Sequence, residues 1–228
     1  MAKGKLIVLE GIDGSGKSTQ YRLLCERMKK DNIEYNHIVF PRYDKESSAL
    51  IRMYLGGEFG THPDDVNAYA SSVFYMVDRF ASYRTDWGRV YCNGGLIISD
   101  RYTTSNAVHQ GSKVPDGELP AFFDWLGDME YGKMGLPKPD AVIYLDCDIE
   151  TSRRRMTQRQ ISTDTHADIH EKDFEYLAKC LHTAKMAAQH YGWKVIAHMK
   201  NGVERSAEEK NDEIYALVRS IIDKKTGH

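Results

Sequence analysis

Cysteine, proline and long apolar runs are scarce in this 228-residue chain, and each shortage excludes a class of protein. The cysteines are Cys25, Cys92, Cys147 and Cys180. They lie far apart and form no C-x-x-C pair, which argues against a metal knuckle or a redox motif. The N-terminal apolar run, Leu6–Leu9, is too short for a signal peptide, and no later stretch approaches a transmembrane length. We therefore expect a cytosolic protein with reduced thiols.

An excess of charge of either sign is also missing. Lys and Arg number 31 and Asp and Glu 33, so the net charge is −2. This balance argues against a polybasic surface for nucleic acid or membrane, although it does not exclude local clusters. The nine histidines show no metal-ligand spacing, so we expect no zinc site. With 41% hydrophobic and 28% charged residues, the composition predicts a single folded domain over residues 1–228.

Strand-length apolar runs alternate with longer amphipathic stretches, which is typical of βαβ units. The predicted strands are Leu6–Leu9, Asn36–Phe40, Leu96–Ser99, Ala141–Leu145 and Lys194–Ala197. The predicted helices are Lys17–Lys30, Ser47–Leu55, Pro63–Cys92, Thr103–Gln110, Leu119–Glu130, Glu150–Gln160, Ile169–Tyr191 and Ser206–Asp223. The pattern predicts an α/β fold, a five-stranded parallel sheet flanked by helices in three layers.

The most informative motif follows the first predicted strand. Residues 11–18 read GIDGSGKS, which satisfies the phosphate-loop pattern G-x-x-x-x-G-K-[ST]. Glycines turn backbone N–H groups toward an anion, and the start of the next helix adds its dipole. Lys17 would contact the β- and γ-phosphates and Ser18 would bind Mg²⁺. The alternative is a glycine-rich turn that begins a helix by chance.

Several kinds of phosphate-loop protein are disfavoured. A regulatory GTPase needs an N-K-x-D segment after a strand, and the sequence has none. The one D-x-x-G match, at residues 124–127, lies within a helical stretch away from any strand end. A helicase or transport ATPase would usually be longer, with an acid closing a strongly apolar strand. The nearest equivalent is Asp100, which is followed by Arg101 and Tyr102.

Five segments in order resemble the thymidylate kinase family. They are residues 10–20 (EGIDGSGKSTQ), 40–43 (FPRY), 75–79 (YMVDR), 100–106 (DRYTTSN) and 135–140 (GLPKPD). The resemblance covers nearly the whole chain, and it implies a phosphate-loop kinase fold with a lid near residues 153–170. It further implies transfer of a phosphoryl group from ATP to dTMP, giving ADP and dTDP, with Mg²⁺ as cofactor and a homodimeric enzyme.

Phosphoryl transfer between two polyanions requires alignment and charge neutralisation rather than a general base, because the acceptor phosphate is largely ionised near neutral pH. Arginines are therefore the side chains of interest. The segment 153–159 carries four arginines and no acid, and Arg155 and Arg159 would share one helix face. The phosphate loop contains no arginine, so the resemblance implies that a lid arginine is catalytic. Arg153 and Arg154 also fit a solvated helix face.

The resemblance assigns further residues to four groups. The catalytic group is Lys17, Arg101, Arg155, Arg159 and Asp13, and the ATP-binding group is Gly11, Asp13, Gly14, Ser15, Gly16, Lys17, Ser18 and Thr19. The substrate-binding group is Asp13, Arg42, Tyr43, Tyr75, Arg79, Arg101, Tyr102, Asn106, His109 and His170. The metal-binding group is Ser18, Asp100 and Glu171. Asp100 could instead cap the helix after it, and Glu171 could be an ordinary first-turn acid.

Base recognition would use Tyr75 for stacking, with Arg79 and Asn106 as polar contacts. The family usually has Phe at the stacking position, and core packing is the alternative for Tyr75. His109 and His170 also depart from the family, which tends to have aromatic residues there, and a helix surface is the alternative for both. Other acceptors, such as dUMP, another monophosphate or thymidine, stay open, as does a non-catalytic nucleotide switch. The phosphate-facing Arg42 and Arg101 favour an acceptor that already carries a phosphate.

Overall fold

A five-stranded parallel sheet forms the centre of the computed structural model, which describes residues 3–163 and 174–223, without the side chains of residues 159–163 and 174. In chain order the strands are β1 (Lys5–Glu10), β2 (Asn36–Val39), β3 (Leu96–Asp100), β4 (Ala141–Leu145) and β5 (Lys194–Ile196). The spatial order is β2-β3-β1-β4-β5, and the register places Leu9 of β1 opposite Asp100 of β3. All five predicted strands are confirmed, with ends that differ by one residue at most.

Helices cover the sheet on both faces. In chain order they are α1 (Lys17–Lys30), α2 (Ala49–Leu55), α3 (Ala68–Ser82), α4 (Gly88–Cys92), α5 (Thr103–Ser105), α6 (Leu119–Gly127), α7 (Ile149–Thr163), α8 (Phe174–Tyr191) and α9 (Ala207–Ile222). Leu6 and Val8 of β1 face one hydrophobic cluster, and Ile7 and Leu9 face the other. Two covered faces explain why β1 is apolar without alternation. The predicted three-layer α/β fold is confirmed.

Three π-helical segments interrupt the predicted helical stretches, at Tyr83–Trp87, Asn106–Gln110 and Asp128–Lys133. The sequence predicts continuous helices there because a single inserted residue leaves the apolar period almost unchanged. Such insertions redirect side chains and are frequent at functional sites. The second and third segments carry residues in or next to the candidate active site, namely Asn106, His109 and Glu130.

Two smaller differences concern the chain after α7. A short antiparallel hairpin of β6 (Met199–Lys200) and β7 (Val203–Glu204) was not predicted, because two-residue strands carry too little pattern. The predicted helix Ile169–Tyr191 is described from Phe174 onward as α8. Within residues 3–163 and 174–223, none of the helices combines the length and apolar character that a membrane crossing requires.

Candidate active site

The phosphate loop joins β1 to α1 at the carboxyl edge of the sheet. Gly14 and Gly16 have φ values of 74° and 97°, which are unfavourable for residues with a Cβ atom. A Cβ on Gly14 would also lie 2.4 Å from the carbonyl oxygen of Ser152 in α7. The glycines are therefore needed both for the turn and for the close approach of α7.

Lys17 is buried in this loop, and backbone carbonyl groups accept hydrogen bonds from its ammonium group. Its Nζ donates to the carbonyl oxygens of Gly11 and Ile12, at 2.7 and 3.1 Å. Burial lowers the pKa of Lys17, and the charge of Arg101 lowers it further. Ser18 and Thr19 are exposed in the first turn of α1. The ammonium group of Lys17 is thus hydrogen-bonded to two neutral carbonyl groups of the loop.

Glu10, the last residue of β1, ties the loop to the segment after β3. Its buried carboxylate accepts hydrogen bonds from the Gly11 N–H at 2.9 Å, Thr104 Oγ1 at 2.6 Å and Ser105 Oγ at 2.7 Å. Arg101 Nη1 lies 3.4 Å from the same carboxylate. This role of Glu10 was not predicted from the sequence. An acid that closes an otherwise apolar, fully buried strand is the signal that could have revealed it.

Arg101 lies between the loop and a neighbouring cavity. Its Nη2 donates to Asp13 Oδ1 at 2.5 Å, and its Nη1 donates to His109 Nε2 at 3.0 Å. Burial alone would lower the pKa of Arg101, but Asp13 and Glu10 outweigh burial and raise it. The pairing resolves the unusual presence of Asp13 in a phosphate loop, because its negative charge holds a guanidinium in place beside the loop.

His109 is a buried neutral acceptor, which the sequence left undecided between a site and a helix surface. Burial lowers the pKa of His109 to about 3, and Arg101 adds to the shift. Because Arg101 donates to Nε2, the ring hydrogen belongs on Nδ1, which lies 3.6 Å from Cys180 Sγ. Cys180 of α8 is fully buried, so the imidazole is enclosed on both sides.

A cavity of about 370 Å³ opens beside Arg101. Most residues that the sequence assigns to substrate binding line it together, although they come from four separate segments of the chain. They are Asp13, Tyr43, Tyr75, Arg79, Arg101, Tyr102, Asn106 and His109. Tyr75 is half-buried in the wall, and the hydroxyl of Tyr102 donates to the carbonyl oxygen of Pro137.

Arg42 does not line this cavity, unlike the other substrate-binding residues that the structure describes. Its backbone N–H and Nε donate to Asp78 at 2.9 and 3.3 Å, and its Nη1 donates to Asp86 at 2.9 Å. Two carboxylates thus hold the guanidinium in the present conformation. No local sequence pattern could predict these pairs, because Asp78 and Asp86 lie 36 and 44 positions after Arg42.

Arg79 is almost fully buried and also lines the cavity. It forms a two-point ion pair with Glu130, in which Nε and Nη2 each donate at 2.6 Å. Nη1 lies 3.4 Å from the carbonyl oxygen of Tyr102. Glu130 is fully buried as well, and it was not among the residues predicted from the sequence. No local motif marks it, since its partner is 51 residues earlier.

Asn106 lies in the π-helical segment between these groups. Its Nδ2 donates to the carbonyl oxygen of Ser72 at 3.1 Å and approaches Glu130 Oε1 at 3.4 Å. The amide nitrogen is therefore committed to the protein, and the amide oxygen is the group that Asn106 offers to a ligand.

Asp100 fits a metal-binding role better than a capping role. The next helix begins at Thr103 with Tyr102 as its cap residue, and it receives no side-chain cap. The structure therefore does not support the alternative that Asp100 caps this helix. Asp100 Oδ1 is buried without a hydrogen-bond partner in the part of the chain that the structure describes. An unsatisfied carboxylate oxygen beside the phosphate loop suits a hard cation such as Mg²⁺.

The predicted lid arginines are described in part. Arg155 of α7 donates from Nη1 to the carbonyl oxygen of Gly14 at 3.2 Å and from Nη2 to Glu204 at 2.8 Å. Arg154 is exposed and lies 3.5 Å from the same acid. The side chain of Arg159, and His170 and Glu171 entirely, lie outside the described residues.

Three side chains with possible metal-ligand atoms, one of them distant from the other two in the sequence, lie close together in the structure. Cys147, Asp148 and His198 place one ligand atom each within 4.8 Å of the others. They come from the ends of two neighbouring strands, so linear spacing could not show them. Burial raises the pKa of Cys147 to about 11 against the opposing charges of Arg155 and Lys210. Burial lowers the pKa of His198, and the charges of Lys210 and Arg155 lower it further. The positive charges of Arg155 and Lys210 disfavour the binding of a metal ion at these three residues.

The chain is similar to proteins of one known family. The sequence model of the thymidylate kinase family matches residues 9–210. A thymidylate kinase of Mycobacterium tuberculosis is 30% identical over 197 residues, which cover 84% of this chain and 90% of that protein. The thymidylate kinase of Plasmodium falciparum is 29% identical over 191 residues, covering 84% and 80%.

A solved structure supports the fold independently. Thymidylate kinase from Candida albicans superposes with a TM-score of 0.69 at 20% identity, over 96% of this chain and 93% of that one. The phosphate loop, the cavity beside it and the match over residues 9–210 lead to one conclusion. The chain belongs to the thymidylate kinase family.

Proposed function

We propose that the cavity beside the phosphate loop binds dTMP, the acceptor in the reaction of this family, and that the loop binds ATP. The reaction transfers the γ-phosphoryl group of ATP to dTMP and gives ADP and dTDP. The observation that carries this assignment is the polarity of the cavity. Arg101 pairs with Asp13 of the loop, whereas Arg79 and Asn106 contact Glu130, which lies outside the loop. We assign the first group to the phosphate end of the cavity and the second to the base end. A nucleoside monophosphate has matching ends, an anionic phosphate and a neutral base.

The base end is complementary to a pyrimidine with a carbonyl at position 4. Asn106 offers its amide oxygen, which can accept from the ring N3–H of thymine or uracil. Arg79 Nη1 can donate to the 4-carbonyl oxygen. Cytosine presents an amino group and an unprotonated ring nitrogen at these positions, so both contacts would fail. Tyr75 provides an aromatic ring for stacking.

At the phosphate end, catalysis is charge neutralisation and alignment. Arg101, held by Asp13 and His109, would bind the acceptor phosphate. Lys17 would exchange its carbonyl partners for the phosphates of ATP. Arg155, which already reaches Gly14 of the loop, would stabilise the transferring group, together with Arg159. No side chain needs to remove a proton, because the acceptor oxygen is ionised.

Asp100, with its unsatisfied buried oxygen, and Ser18, at the start of α1, would hold Mg²⁺. When bound, the ion neutralises charge on the phosphates of ATP. Glu171 stays a candidate from the sequence alone.

The test is ADP release measured across a panel of acceptors. We expect rapid release with dTMP, slower release with dUMP and almost none with dCMP, dGMP or thymidine. dUMP lacks only a methyl group, which contributes roughly 10-fold or a little more in an apolar pocket. ADP release that is the same without any acceptor would indicate an ATPase or a switch instead. Release driven best by thymidine would contradict a monophosphate acceptor.

We further propose that the chain acts as a homodimer through α3. Four large apolar side chains of this helix are 39% to 45% exposed at helical spacing, namely Tyr69, Val73, Val77 and Phe80. Such a stripe suits a second copy of the same helix. Sedimentation should show a dimer for the natural chain and a monomer for Val73→Glu, while a monomeric natural chain would contradict the proposal.

The chain is also proposed to work as one domain with a lid near residues 153–170. Its proposed location is the cytosol. All four cysteines are free, which fits a reducing compartment.

A further inference from the structure

Glu130 connects the two groups at the base end of the cavity without lining the cavity itself. Its carboxylate is fully buried and accepts from Arg79 Nε and Nη2, both at 2.6 Å. It also accepts from Thr103 Oγ1 at 2.8 Å and lies 3.4 Å from Asn106 Nδ2. One carboxylate thus serves the guanidinium and the amide that would contact the base.

We propose that Glu130 is the positioning residue that sets base specificity. This inference rests on the proposed function, because it assumes that the base lies against Arg79 and Asn106. Glu130 would act through these two residues and never touch the nucleotide.

Glu130 fixes which atoms of Arg79 and Asn106 face the ligand. A guanidinium held at two nitrogens is constrained in its plane, so Nη1 keeps one direction. The Asn106 amide cannot turn over without pointing its oxygen at the Glu130 carboxylate, which would be repulsive. The cavity therefore presents one donor and one acceptor in a fixed order, and this order distinguishes thymine from cytosine.

Glu130 also makes the base end electrically neutral. The buried charge of Arg79 is matched by one carboxylate. Without Glu130, Arg79 would be an unpaired cation able to attract the phosphate into the wrong end. A nucleotide would then lose its preferred orientation.

The test is Glu130→Gln, with initial rates for dTMP and dCMP and a thermal melt for each protein. The amide of Gln has a similar shape but adds N–H donors that face Arg79 and Asn106. We expect KM for dTMP to rise roughly tenfold or more, kcat to change by no more than about threefold, and the preference for dTMP over dCMP to fall roughly tenfold.

Glu10→Gln is the matched control, since Glu10 is also a fully buried carboxylate but lies at the phosphate end. This variant should lower kcat and leave the dTMP/dCMP preference unchanged. If Glu130→Gln folds and loses activity on both acceptors equally, Glu130 is only structural and the inference is overturned.

Thr103→Val decides the question if Glu130→Gln does not fold. It removes one donor to Glu130, keeps the side-chain shape and does not alter the cavity lining. A threefold or similar fall in the dTMP/dCMP preference would support the inference, and an unchanged preference would refute it. Failure of the natural chain to use dTMP would instead count against the proposed function.

Discussion

The acceptor side and the donor side of the site hold their cations in different ways. On the acceptor side, Arg79 is paired with Glu130 and Arg101 with Asp13, through bonds of 2.5 to 2.6 Å. On the donor side, Lys17 contacts only backbone carbonyls among the described residues, and Arg155 pairs with the half-exposed Glu204. The buried two-point pair of Arg79 resists exchange, and the short, partly buried pair of Arg101 is more firmly held than contacts to neutral or solvent-exposed partners.

This difference suggests a division of labour. A fixed acceptor side can recognise a base before ATP arrives, because little has to be reorganised. Exchangeable cations on the donor side can move onto phosphates as charge develops in the transition state. Changes on the donor side should therefore lower kcat, and changes on the acceptor side should alter KM and specificity.

The largest effect is expected for Lys17→Met. Removing the ammonium group should lower kcat by roughly 10²- to 10³-fold, as loss of one preorganised charge contact does in other transferases and hydrolases. The melting temperature should be kept, since burial of the charge offers little stability by itself. Steady-state rates and a thermal melt would check both. Near-normal turnover would show that the loop cation is not part of the donor side.

A smaller effect is expected for Arg155→Ala. We expect kcat to fall roughly tenfold or more while KM for dTMP changes little, because Arg155 touches the loop and not the acceptor cavity. Arg154→Ala is the matched control, since Arg154 is an exposed neighbour near the same Glu204 and does not reach the loop. An effect confined to KM would place Arg155 on the acceptor side and contradict the proposed difference between the donor and acceptor sides.

The smallest effect concerns stability and pH. Burial and Arg101 lower the pKa of His109 to about 3, below its ordinary value of 6.5. The unfolded chain therefore binds one more proton between these values, so stability falls as pH drops through 6.5. From pH 7 to pH 5.5 the loss should be about 1 kcal/mol. Denaturant titrations at the two pH values should show this loss of unfolding free energy in the natural chain and its absence in His109→Gln. An equal dependence of unfolding free energy on pH in the two proteins would contradict a neutral buried His109.

Much of the fold could be predicted from the sequence because its signals are local. The apolar strands and the glycines of residues 11–18 constrain their own backbone, and all five strands and the sheet's parallel character were expected. The π-helical segments were not, since the insertion of one residue hardly alters the apolar pattern.

The sequence could predict which residues belong to the candidate site, but not the contacts that hold them in place. Short motifs named Asp13, Arg79, Arg101 and Asn106, which line one cavity. The acids that fix these residues have no motif, because Glu130 meets Arg79 across 51 positions and Glu10 meets Arg101 across 91. The same limitation explains Arg42, whose acidic partners become visible only when the chain is folded. Pairings across a fold depend on tertiary contacts that periodicity does not contain.

Calorimetric titration of dTMP and dCMP into the protein without ATP tests the division of labour most directly. If the acceptor side is preformed, dTMP binds without ATP, dCMP binds at least tenfold more weakly, and Arg155→Ala leaves the Kd for dTMP unchanged within about twofold. Equal binding of the two nucleotides, or binding of dTMP only after an ATP analogue is added, would contradict a preformed acceptor side.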